Sequence, residues 1–306
     1  MIEETATNQT TASTNTPQKQ HVLIIGGTNF MGKELTQRLA DDPAVDVHII
    51  NRQKLHWNNE WRKIQNVTFH YGDRDTHLEF IKMLKYISKK IGITEESSKK
   101  WSLVIDFCAY LRKEVKSVIR ALSRRLDLYV LISTDSVYDV CDETIRHRPV
   151  KESDDIRPHL DKDVKKKAED EDYGHDKLKC EEYLRNHVSD LRDGFPFVCL
   201  RLPDVIGPYD STCRYWAYVI WIQQMVKKPV HTHRESREEK LSFVYSKDVA
   251  TICITLLGKV RDRGWVEGVH GESFNIAFEE NPTLDELVVM IVSTSLSFFS
   301  SFRFFE

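Results

Sequence analysis

With 306 residues, 41% hydrophobic and 30% charged, the chain has a globular composition and can bury a large core, as one big domain or two smaller ones. Its formal net charge of −3, from 44 basic and 47 acidic residues, gives no general attraction to nucleic acid or to anionic membranes. The 6 cysteines have no C-x-x-C spacing, no apolar run is long enough to span a bilayer, and no signal-peptide pattern opens the chain, so reduced thiols in a cytoplasmic protein are expected.

Residues 1–20 are rich in Thr, Asn and Gln and read as a disordered tail. Val22-Leu23-Ile24-Ile25 is a short, wholly apolar run of the kind found in strands buried on both faces, which implies a parallel sheet. Gly26-Gly27-Thr28 follows, then an amphipathic helix from Gly32 to Leu39. Further strands are predicted at 45–50, 67–71, 103–108, 128–133 and 197–200, with helical patterns between them, including 115–126. Strands alternating with helices predict a Rossmann-type α/β domain, a doubly wound parallel sheet, over residues 21–200, with a smaller substrate-binding lobe over 201–306 interleaved with it.

The first motif is the turn Gly26-Gly27-Thr28-Asn29-Phe30-Met31-Gly32. A glycine-rich turn between a buried strand and a helix aims backbone N–H groups and the positive end of the helix dipole at a pyrophosphate. Gly26 and Gly32 take the first and third positions of the pattern, while Asn29 stands where the middle glycine is expected. The second strand ends in Asn51-Arg52 without the carboxylate usual for NAD, so Asn51 is expected on the ribose and Arg52 on a 2′-phosphate, a lean toward NADP over NAD. Asp73, after the third strand, either bonds the adenine or caps the next turn. Cys108 and Ala109 are small residues at the fourth strand's tip that would let the nicotinamide half pass.

The second motif is chemical. Tyr173 and Lys177 are four residues apart and share one helix face. A phenol with an ordinary pKa near 10 becomes a usable acid/base when a cation favours its phenolate. The pair follows the hydroxyl-rich strand tip Ser133-Thr134-Asp135-Ser136.

Together these segments resemble the extended short-chain dehydrogenase/reductase family of NAD(P)-dependent epimerases, dehydratases and reductases. The phosphate loop is similar to that of the atypical subgroup with G-G-T-x-F-x-G. Ser133–Tyr138 resembles the family's S-[ST]-x-x-V-Y segment, Arg201–Pro208 its R-x-x-x-[VI]-x-G-P turn, Phe243–Ala250 its F-[IV]-x-x-x-D-V-A segment, and Ser273–Ile276 its Y-N-[IV] strand. The likeness runs over residues 21–290. It implies that Tyr173 moves a proton to or from a substrate hydroxyl or carbonyl. Lys177 would lower the Tyr173 pKa and hold the nicotinamide ribose, and Thr134 would bond the reacting oxygen with Ser133 as fallback. Asp135, Arg201 and Pro203 are the substrate-side candidates. Dehydratases of the family carry a second acidic residue where Ser136 stands, so the resemblance points to an epimerase or reductase acting on a nucleotide-sugar-like substrate. Relatives pair through a helical bundle, which makes a homodimer the expected assembly.

Three features depart from the pattern. The stretch 153–172, with Lys165-Lys166-Lys167 and Glu169-Asp170-Glu171-Asp172, reads as a solvated, charged loop. Thr283 and Glu286 form a capping-box pattern at the start of a helix. The chain then runs into a Phe-rich end (Phe298, Phe299, Phe302, Phe304, Phe305) that matches no family segment and reads as a truncated lobe. His231-Thr232-His233 has no partnered ligand pattern, so no metal is expected. The competing reading is a non-catalytic dinucleotide-fold protein that binds RNA or scaffolds a complex. It is favoured by Asn29 and the odd end, and opposed by the intact Thr134, Tyr173 and Lys177.

Overall fold

A computed structural model describes residues 19–52, 65–145, 148–188, 195–225, 238–263 and 267–300. The chain opens with the alternation the sequence predicts: β1 (Gln20–Ile25), α1 (Phe30–Ala40), β2 (Val45–Asn51), β3 (Val67–Tyr71), α2 (His77–Lys90), β4 (Leu103–Asp106), α3 (Arg112–Leu122) and β5 (Tyr129–Thr134). A one-turn 3-10 helix (Asp135–Tyr138) follows, then α4 (Asp161–Asp170), α5 (Asp172–Val188), β6 (Phe197–Leu202) and β7 (Asp204–Ile206). The remaining elements are α6 (Arg214–Met225), β8 (Phe243–Tyr245), α7 (Ser246–Arg263), β9 (Ser273–Asn275) and α8 (Leu284–Ser300).

Seven parallel strands form the sheet in the order β3-β2-β1-β4-β5-β6-β9. Strand order reverses beside β1, and the carboxyl ends of β1 and β4 therefore frame a crevice, the usual place for a ligand in an open α/β sheet. Because side chains alternate along a strand, β1 feeds two cores at once. Val22 and Ile24 join Leu35, Leu39, Val249 and Cys253 on the α1/α7 face. Leu23 and Ile25 join Phe80, Leu84, Val118 and Leu122 on the α2/α3 face. Both faces are dry, which is why the strand reads as an unbroken apolar run.

The lobe beyond the sheet is built on the two-stranded pair β7–β8. There Val219 and Ile222 of α6 pack with Phe243, Leu287 and Ile291. The capping box of α8 is formed: Glu286 N donates to Thr283 Oγ1 at 3.2 Å and Thr283 N to Glu286 Oε2 at 2.7 Å. The charged stretch read as a loop instead contains α4, none of whose residues is buried. Among the described residues no helix is long and apolar enough to cross a membrane. The 1–18 part of the tail, the His231–His233 pair and Phe302, Phe304 and Phe305 lie outside the described residues.

On the α2/α3 face of the sheet, His21, His48 and His70 of three neighbouring strands form a cluster with Trp101. His48 stacks on His70 with ring centroids 5.4 Å apart and meets Trp101 edge-on at 5.1 Å. His48 Nδ1 lies 3.1 Å from His70 Nε2. Burial holds all three imidazoles below their ordinary pKa, with His48 down to about 3.

Candidate active site

The glycine turn is shaped by close approaches. Gly26 sits at φ +91°, and a Cβ there would lie 2.3 Å from Cys108 Sγ. A Cβ on Gly32 would lie 2.3 Å from the carbonyl oxygen of Gly26, so only glycine lets α1 descend onto the turn. Gly27 lets the turn pack tightly: a Cβ would press on Ile24 Cγ2 and Thr36 Oγ1, each at 2.9 Å. Asn29 has φ −136° and ψ 152°, ordinary extended backbone that needs no glycine. Its side chain turns away from α1, leaves the helix uncapped, and donates from Nδ2 to Ser211 Oγ at 2.8 Å. The first turn of α1 carries no acidic residue, so its N–H groups and dipole are left to favour an anion.

Two cavities meet at this turn and share Gly26, Asn29, Cys108 and Tyr110. One, of about 280 Å³, is lined by Thr28, Asn51, Arg52, Gly72 and Arg74. The other, of about 520 Å³, runs past Phe30, Met31 and Gly32 to Ser133, Thr134, Asp135, Tyr173, Lys177 and Pro203. A continuous groove with a glycine cradle at its middle and two pockets at its ends fits a dinucleotide. Asp73 lines neither cavity: its Oδ1 accepts from Asp75 N at 3.0 Å, and its carbonyl accepts from Thr76 Oγ1 at 2.8 Å. The structure thus brings Asp73 into the turn and into neither cavity. Beneath the first cavity Arg74 donates twice to the wholly buried Asp106, at 2.7 and 3.0 Å, and Tyr129 Oη donates to the same carboxylate at 3.0 Å.

At the other end, Tyr173 and Lys177 lie one turn apart on α5. Gly174 makes their placement possible, since a Cβ there would lie 2.2 Å from the Ser136 carbonyl oxygen. With no Cβ, α5 presses onto the 3-10 turn, and Tyr173 and Thr134 line the same cavity. Thr134 Oγ1 lies 3.3 Å from Asp135 Oδ1 and from Ser136 Oγ. The buried Lys177 ammonium donates to the carbonyls of Ala109 at 2.7 Å and Ile132 at 2.8 Å. Ala109 thus contributes a carbonyl rather than a side-chain surface.

The electrostatics differ from the expectation that Lys177 pulls the phenol down. Its ammonium is 5.9 Å from the Tyr173 ring centroid and is directed at carbonyls. Partial burial (the residue is 42% exposed), reinforced by Tyr110, pushes Tyr173 up to about 12, against smaller opposing effects of the nearby Thr134 hydroxyl and the Arg214 charge. Burial also lowers Lys177 and raises Asp135 to about 6. Without ligand, Tyr173 therefore holds its proton at neutral pH as a donor, and Asp135 titrates close to that range.

Arg201 corrects the sequence reading most sharply. It is 1% exposed, and all five of its N–H groups are engaged. Nε donates to Glu181, Nη1 to Tyr138 Oη at 2.7 Å and to the Glu152 carbonyl at 3.0 Å, and Nη2 to Asp155 and to Glu181 Oε2 at 2.6 Å. It anchors the wall of the site and keeps no donor for a substrate. Ser133 is likewise committed, donating to Glu181 at 2.5 Å. Pro203 and Asp135 border a further cavity of about 980 Å³ that reaches Tyr138, Val150 and Asn275. The sequence reading missed Tyr110, Gly174 and Arg214. Gly174 has a legible signal, a glycine directly after the acid/base candidate, while the other two carry none.

The family model described as the NAD dependent epimerase/dehydratase family matches residues 22–277. A search of the curated proteins returned no match. Solved structures resemble the fold. The UDP-N-acetylglucosamine 4-epimerase of Methanobrevibacter ruminantium M1, in complex with UDP-N-acetylmuramic acid, aligns with a TM-score of 0.65 at 20% identity, covering 92% of this chain and 83% of that one. The dTDP-glucose 4,6-dehydratase of Bacillus anthracis, in complex with NAD, aligns at 0.63 and 15%, covering 90% and 80%. The UDP-glucose 4-epimerase of Thermotoga maritima, with UDP-glucose, aligns at 0.61 and 17%, covering 90% and 82%.

Proposed function

The chain belongs to the NAD dependent epimerase/dehydratase family, enzymes of the extended short-chain dehydrogenase/reductase type, and from that premise we propose that it is an epimerase or reductase acting on a hydroxyl or carbonyl carbon of a nucleotide-sugar-like substrate. One observation carries the reading: Thr134, Tyr173 and Lys177 line one cavity together with the glycine-turn residues Gly26 and Asn29–Gly32.

Tyr173 is the proton carrier. In the reducing direction its Oη gives a proton to the carbonyl oxygen as that carbon gains hydride, and in the oxidising direction the phenolate takes the hydroxyl proton back. The nicotinamide, when bound, supplies the hydride partner and, oxidised, a positive charge beside the phenol. Thr134 Oγ1 holds the substrate oxygen in reach of Tyr173. Lys177 spends two of its three N–H donors on carbonyls and keeps the third for the nicotinamide ribose. The end of β2 itself carries Asn51 and Arg52 and no carboxylate, which favours a 2′-phosphate and hence NADP over NAD, while Asp75 and Glu114 line the same cavity. Ser136 in place of a second acid favours epimerase or reductase chemistry over dehydration.

The test is turnover of a panel of nucleotide sugars with NAD and with NADP. A Tyr173→Phe variant should lose turnover and keep cofactor binding; equal activity in that variant refutes the assignment.

A further inference from the structure

The position where the phosphate-loop pattern carries glycine is occupied by an asparagine with no backbone need to be glycine, and its side chain reaches out of the Rossmann domain. Asn29 Nδ2 donates to Ser211 Oγ at 2.8 Å, a bond between residues 182 apart in sequence. One turn into α1, Lys33 is 1% exposed, and its ammonium lies 4.1 Å from the ring centroid of Tyr209. Two neighbouring residues of the cofactor loop and its helix thus grip one segment of the substrate lobe, 207–213.

That segment is strained. Tyr209 and Cys213 hold φ of +63° and +56° without being glycine, and Gly207 holds +140°. Within it Asp210 Oδ1 accepts from Thr212 N at 2.7 Å and from Thr212 Oγ1 at 2.6 Å. Ser211, Thr212 and Arg214 then face the same cavity as Tyr173, Asp135 and the turn residues Asn29–Gly32. The far wall of the groove is therefore fixed by contacts with the phosphate loop itself.

We infer that Asn29 is a positioning residue: with Lys33 it clasps segment 207–213 across the groove, so that a bound dinucleotide is enclosed at its pyrophosphate and the substrate wall is set only when the clasp is closed. The inference rests on the cofactor reading above. It adds a coupling between cofactor retention and the substrate side that a glycine at position 29 could not make. Opening segment 207–213 for exchange breaks the Asn29–Ser211 hydrogen bond and the Lys33–Tyr209 contact among others, and the left-handed Tyr209 and Cys213 favour a discrete change of shape over gradual bending.

The experiment loads the full-length protein with NADH or NADPH and follows release by stopped-flow fluorescence on chasing with excess NAD or NADP. Ser211→Ala is the main variant because Ser211 is exposed and its truncation leaves the core intact. Ser211→Ala and Asn29→Gly are each expected to speed release by about three- to ten-fold, the worth of one hydrogen bond. The double variant should be no faster than the quicker single, since both remove the same contact. Amide exchange without cofactor should rise in 207–213 in both, with the melting midpoint of Ser211→Ala unchanged. Unaltered release in Ser211→Ala, or additive effects in the double variant, overturns the clasp alone. Failure of the unsubstituted protein to bind either dinucleotide overturns the cofactor reading and the clasp with it.

Discussion

The carboxyl edge of the sheet and its α2/α3 face use titratable side chains to opposite ends. At the carboxyl edge Thr134, Asp135, Tyr173 and Lys177 surround a cavity, and polar atoms are left facing it. On the α2/α3 face His21, His48, His70 and Trp101 pack ring against ring, and burial keeps the imidazoles neutral. A titratable cluster is chemically available where folding leaves room for a ligand beside it. The carboxyl edge gets that room from glycines at 26, 32 and 174, where a Cβ would collide with backbone or with Cys108. The histidine cluster is instead expected to act on stability.

The most forceful way to break this comparison is to remove the key polar group of each cluster. Tyr173→Phe should reduce kcat by about 10²- to 10⁴-fold, the scale of general acid–base catalysis, with cofactor affinity retained. His48→Phe, in the histidine cluster, should leave kcat near that of the unsubstituted protein. Steady-state kinetics on both variants decides whether the chemistry lies where the cavity is.

Next in size is the wall of the site. Arg201→Met leaves Glu181, which is wholly buried, without its guanidinium partner. Chemical denaturation should report a loss of about 3–5 kcal/mol, the cost of stripping one member from a buried ion pair. A variant as stable as the parent would mean that Arg201 is a replaceable substrate contact after all.

The histidine cluster predicts a pH dependence. His48 is held from 6.5 down to about 3 by burial and by His70 and His21, so the folded state resists protonation that the unfolded chain accepts. Its stabilising effect is complete above pH 6.5 and is lost progressively as pH falls toward about 3. At pH 5 the loss from this group is ~2 kcal/mol. Denaturation midpoints measured across pH 4–8 should show the decline, and His48→Phe should flatten it. The smallest effect is expected at Arg52, where Arg52→Ala should weaken NADPH by about ten-fold relative to NADH, the value of a charge-assisted contact to phosphate. Equal losses for the two would show that Arg52 does not read the 2′-phosphate.

Much of this was legible in the residues because it depends on local pattern. Val22–Ile25 must be buried on both faces, Gly26 and Gly32 mark a turn against a helix, and Tyr173 and Lys177 share a face wherever α5 forms. The rest depends on partners distant in sequence. Arg201 reads as a ligand-facing arginine until Glu181 and Asp155 are seen to saturate it. The Tyr173 phenol is expected to be acidic until Lys177 is found bonded to two carbonyls. The three clustered histidines come from three strands, so no single segment carries their signal. Helix α4 has no apolar stripe to announce it, because none of its residues is buried.

A crystal of the protein grown with NADP tests the central claim most directly. The account predicts the pyrophosphate over Gly26–Gly32, the 2′-phosphate beside Arg52, and the nicotinamide ribose within hydrogen-bonding distance of Lys177 Nζ, with the ring next to Tyr173. Density for the dinucleotide elsewhere, or with its nicotinamide remote from Tyr173, would contradict it.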